Sequence, residues 1–111
     1  MNIIETKSFE FAVDVVKLIK QLKKTGVEYA LLNQLLRSGT SIGANVSEAQ
    51  DAQSKNDFIS KMSIALKEAR ETMYWLELLK EAEGVQIIEL LGKINEIISI
   101  LTRIVKSSKV N

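Results

Sequence analysis

Apolar side chains recur at helical spacing in four segments of the chain. In the first, Phe11, Val15, Leu18 and Leu22 fall at i, i+4, i+7 and i+11, within one arc at about 100° per residue, and predict a helix over 8–24. Ser8 stands where an N-cap is expected and Gly26 where a C′ residue is. The second segment covers 28–52, with Leu31, Leu35, Ile42, Val46 and Ala49 on one face. Its middle, Ser38 to Ser47, resembles a loop on propensity alone, because its glycines and hydroxyl residues each cost a few tenths to ~1 kcal/mol against Ala in a helix. The apolar period passes through it unbroken, which predicts helix.

Ser54 offers a cap for a third helix over 55–83, with Phe58, Met62, Ala65, Ala69, Met73 and Leu76 inward and Gly84 as its stop. The fourth, over 86–106, places Ile87, Leu90, Leu91, Ile94, Ile97, Ile98, Leu101, Ile104 and Val105 in an arc of roughly 140°. Connections of two to four residues fold each helix back on its predecessor. The predicted fold is all-α, an antiparallel up-down-up-down four-helix bundle forming a single domain over 1–111. No proline interrupts it.

Composition narrows the chemistry. The 111 residues contain no Cys and no His, which removes thiol nucleophiles, imidazole bases, disulfides and the usual zinc and di-iron ligand sets. Acid–base work would fall to carboxylate, Lys or Tyr, and no carboxylate pair stands out, so the expectation is a non-enzymatic chain with no cofactor, metal or small-molecule substrate. Fifteen basic against fourteen acidic residues leave a net charge of +1, and any nucleic-acid surface must be local. Met1 to Ser8 lack the basic start and apolar run of a signal peptide, and no apolar run reaches about 18 residues, which predicts a cytoplasmic protein with no membrane partner.

Two helices carry more apolar surface than a bundle core consumes. Ile64, Trp75 and Leu78 cluster on the third helix, away from its core stripe, and Phe9, Val13 and Val16 form a second strip on the first. Contiguous apolar surface of this kind predicts an oligomer interface, with Trp75 its anchor, although wide stripes also occur where a small bundle buries deeply. Gly39, Gly43 and Ser47, four apart, leave one edge of helix two without bulk and predict close helix packing. Gln34, Arg37, Ser41 and Glu48 align as a polar stripe, read as a solvated face with weak side-chain pairs, with a buried network at a subunit boundary, Arg37 paired with a carboxylate such as Glu48, as the alternative. Lys17, Lys20 and Lys24, with Lys23, share a face of helix one, and Arg103, Lys106 and Lys109 lie near the end of helix four. Side by side, these ends would bind phosphates without reading sequence, although lysines near helix C-termini also serve solubility.

The run Gln34-Leu-Leu-Arg-Ser-Gly-Thr-Ser-Ile-Gly-Ala-Asn-Val-Ser-Glu-Ala49, followed by the run from Ser54 through Ala65-Leu-Lys-Glu-Ala-Arg-Glu-Thr-Met-Tyr-Trp-Leu76, closely resembles the four-helix-bundle proteins encoded in intervening sequences of bacterial 23S ribosomal RNA genes. The resemblance spans roughly residues 8–106. It implies a bundle assembled as a ring, a homopentamer, which would use the surplus apolar surface. The accessory proteins of diversity-generating retroelements look like relatives, and among them a basic pentameric barrel binds RNA and supports a reverse transcriptase. If that activity carries over, Lys17, Lys20, Lys24, Arg37, Arg103 and Lys106 are the candidate contacts. The alternative is a purely structural or protein–protein interaction module that has itself as partner and no nucleic acid.

Overall fold

Asn2 opens the first helix six residues ahead of Ser8. Its side chain accepts from the Glu5 backbone N–H at 2.9 Å, and the Glu5 carboxylate accepts from the Asn2 N–H at 3.0 Å, a reciprocal cap that starts α1 at Ile3. In the computed structural model, which describes residues 1–110, α1 spans Ile3–Leu22, α2 Tyr29–Gln50, α3 Lys55–Glu83 and α4 Ile88–Ser108. Ser8 is therefore no cap. It is buried inside α1, and its hydroxyl donates to the Glu5 carbonyl at 3.2 Å. Helix one also ends sooner than 24, and the chain turns through Lys23–Gly26, where Gly26 takes φ +84°.

The loop-like stretch of α2 is helical throughout. Its polar side chains satisfy themselves on the preceding turn: Thr40 Oγ1 donates to the Leu36 carbonyl at 2.8 Å, Ser41 Oγ to that of Arg37 at 2.6 Å, and Asn45 Nδ2 to that of Ser41 at 2.8 Å. Ser54 caps α3 by accepting from the Asp57 N–H at 3.0 Å, and Gly84, at φ +67°, ends it. Helix four begins at Ile88 rather than 86, since Ile87 has left the helical region at φ −139°, ψ 30° while still inserting its side chain in the core.

The helices pack in a ring of neighbours, α1 on α2, α2 on α3, α3 on α4 and α4 on α1, and among the described residues no backbones approach closely across either diagonal. The result is an antiparallel four-helix bundle of 49 × 22 × 20 Å. Phe11, Val15, Leu35, Ile42, Leu76 and Ile94 are among its fully buried side chains. Leu18, Leu31, Phe58, Met73, Leu91, Ile98 and Ile104 are only partly buried, while Ile19, Leu32 and Leu79 fill central positions. A shift of one residue turns a side chain through about 100°, so an arc read slightly off-centre exchanges core for flank.

Candidate functional site

The small-residue edge of α2 lies against α1. A Cβ on Gly39 would stand 3.0 and 3.1 Å from the two γ-carbons of Val15, and one on Gly43 would stand 3.3 Å from the Ser8 carbonyl oxygen. The glycines thus let two helices of one subunit close on each other. Ser47 lies outside that contact, exposed at the rim of an α1/α2 groove of about 330 Å³ that Phe9, Ala12, Thr40 and Ala44 also line.

The surplus apolar residues form two separate patches. On α1, Phe9 is 61% exposed and Val16 37%, with Val13 half-buried between them. On α3, Ile64 is 39% exposed, and Leu78 and Trp75 are half-buried. Tyr74, which the sequence reading passed over, is 60% exposed and meets the Trp75 ring edge-to-face at 5.0 Å. Tyr74 and Leu78 border an open apolar depression with Met73, edged by Arg70, Glu77 and Glu81. Because α1 and α3 occupy a diagonal of the bundle, the two patches face different directions.

In the polar stripe of α2, Arg37 and Glu48 are solvent-exposed, and each makes surface ion pairs to α3. Arg37 reaches both Glu68, with Nη1 at 3.3 Å from each carboxylate oxygen, and Glu71, which accepts from Nη2. Glu48, on the same helix, pairs instead with Lys61 at 3.2 Å. Glu71 also accepts from the Trp75 indole N–H at 3.0 Å. That hydrogen bond, reinforced by Arg37 and opposed by partial burial, holds the Glu71 carboxyl below the usual range, and the bond to Glu71 raises the guanidinium in turn. Beneath this network Thr72 and Ser38 meet at 2.9 Å in the core, and among the described residues no buried side-chain polar atom lacks a partner. Glu68, Glu71 and Trp75 at i, i+3 and i+7 carried a signal for the network in the sequence.

The two groups of cations are not side by side. Asp14 meets Lys93 at 2.6 Å and Lys7 meets Glu96 at 3.0 Å, and Arg103 shares a groove with Asn2, Ile3 and Lys7. Arg103 and Lys106 therefore flank the start of α1. Lys17, Lys20 and Lys24 lie toward its other end, where Lys23 sits over the Tyr29 ring at 5.2 Å. At a rise of about 1.5 Å per residue, some 25 Å separates the groups. Arg37 joins neither. Among the described residues no group of three or more His, Cys, Asp or Glu could hold a metal ion, and no helix is long and apolar enough to cross a membrane.

Comparison with known proteins agrees with this architecture. The family model for the 23S rRNA-intervening sequence protein matches residues 2–103. Among solved structures, a protein of unknown function from the S23 ribosomal protein family of Bacteroides thetaiotaomicron is 48% identical and superposes with a TM-score of 0.89, covering 94% of this chain and 99% of its own. No curated protein sequence shows significant similarity. With the match running from the cap of α1 almost to the end of α4, the chain belongs to the 23S rRNA-intervening sequence protein family.

Proposed function

We propose that the chain is a non-enzymatic assembly module whose copies associate side by side through the α1 strip of Phe9, Val13 and Val16 and the α3 strip of Ile64, Trp75 and Leu78. The observation that carries this reading is the placement of two exposed apolar strips on diagonally opposite helices. A single patch would be satisfied by a two-fold dimer, whereas two unlike patches on different flanks join head to tail and close as a ring when the rotation permits. Five copies is the number the family resemblance implies. The buried polar side chains Ser8, Ser38 and Thr72 are bonded hydroxyls, which fits a scaffold better than a reaction centre. Light scattering at micromolar concentration tests the reading: a discrete oligomer is expected, and Phe9→Ser, at a position outside the core, weakens it. A wild-type chain that stays monomeric overturns it.

A second reading, RNA as partner, is favoured by one observation. Among the described residues Lys17, Lys20 and Lys24 have no carboxylate partner within the subunit, and they share one end of the bundle. Binding there would be to phosphates and would weaken steeply with salt. Titration of a structured RNA at low and physiological salt decides it, and no binding at low salt excludes it.

A further inference from the structure

Side-by-side copies leave open which flank of one meets which flank of the next, and at what height. The rungs within the subunit fix the heights. Asn2 hydrogen-bonds Gln50, Ser8 abuts Gly43 and Val15 abuts Gly39, while on the other side of α2 Ser38 meets Thr72 and Glu48 meets Lys61. Carried across α2, these contacts set Val16 level with Tyr74, Lys20 level with Glu77, and Lys24 level with Glu81, to within about one helical turn. Helices α1 and α3 also run in the same direction, since each is antiparallel to α2.

We infer that a second copy docks with its α3 parallel to α1 and without vertical offset, setting Val16 against Tyr74 and Lys20 and Lys24 against Glu77 and Glu81. This rests on the assembly reading above. Charge complementarity argues for it. Below the apolar strip of α1, the exposed side chains Lys20 and Lys24 are basic; below that of α3, Glu77 and Glu81 are acidic and edge the same depression as Tyr74 and Leu78. Among the described residues none of the four makes an ion pair inside the subunit. Higher up the sense reverses, with Glu10 of α1 standing within about a turn of the level of Arg70. When parallel helices face each other, opposite sides of their strips meet, and on a helical wheel Glu10 and Lys24 fall on one side of the α1 strip while Arg70 and Glu81 fall on the other side of the α3 strip. Parallel pairing of α1 with α1, or of α3 with α3, sets like charges at equal height instead. Complementary potentials of this kind fix register and partner more than raw affinity.

Charge reversal tests the register. Lys20→Glu/Lys24→Glu and Glu77→Lys/Glu81→Lys, each alone, weaken the contact between copies about tenfold or more at low salt, read by light scattering against concentration. Combined in one chain they restore assembly, and mixing the two double variants at equal concentration restores it with both variants in every oligomer. A covalent check uses Val16→Cys/Tyr74→Cys in this cysteine-free chain, which on oxidation forms an intermolecular ladder on denaturing gels, while Val16→Cys/Ile64→Cys does not. Reversed variants that assemble like wild type, or a combined variant that is no better than either, overturn the register and leave the assembly reading standing. A monomeric wild type overturns both.

Discussion

The indole N–H of Trp75 donates to the Glu71 carboxylate one turn earlier on α3, at 3.0 Å, and the same oxygen accepts from Arg37 across the seam to α2. A carboxylate held this way is favoured in its charged form, so its folded-state pKa lies below the unfolded value of about 4.3. Its contribution to stability is complete above that unfolded value and is lost as pH falls through the folded one. Chemical denaturation between about pH 5 and 3 should show an acid limb in the wild type that Glu71→Gln flattens, together with altered Trp75 emission. An unchanged limb in the variant would show that Glu71 does not contribute to it.

Glycines in two helices should respond oppositely to Ala. Gly92, on the exposed side of α4, has open space where a Cβ would go, and Gly92→Ala should stabilise by about 0.5–1 kcal/mol, raising Tm by a few degrees. Gly39→Ala drives a Cβ to 3.0 Å from the stiff, fully buried Val15, and should destabilise by about 1–3 kcal/mol despite the better helix former. Thermal melts at one fixed protein concentration compare the two, because association shifts Tm by mass action.

The buried hydroxyl pair gives a third case. Thr72 donates to the Glu68 carbonyl at 2.7 Å and lies 2.9 Å from Ser38 Oγ. Thr72→Val strands the Ser38 hydroxyl on a 3.5 Å contact to Leu35, and should cost about 1–3 kcal/mol. Adding Ser38→Ala should recover most of that loss, since removing both partners is milder than leaving one unsatisfied. A double variant that loses the sum of the single losses would mean the two hydroxyls are not coupled.

The bundle itself was legible in the sequence because its apolar periods are long and no proline cuts them. The start of α1 was missed although its signal was present: Asn2 and Glu5 have capping-box spacing, but they precede the apolar stripe on which attention falls. The partner of Arg37 was missed for a different reason. Wheel geometry aligns residues within one helix and says nothing of the neighbour, so Glu48 stood in for Glu68 and Glu71, which only packing brings into reach. Lys17, Lys20 and Lys24 do not lie beside Arg103 and Lys106, because antiparallel first and last helices put their C-termini at opposite ends.

That separation has a sequel. Rotation about an axis along the bundle never inverts a subunit, so a closed circle of such copies would have two unlike poles, one carrying Lys17 and Lys23 of every member, with Lys20 and Lys24 taken up by Glu77 and Glu81 of the next copy, and the other crowned by Arg103 and Lys106. Contacts too feeble singly would be repeated around each crown, and a long polyanion lying across one of them would be gripped by the repetition rather than by any single side chain.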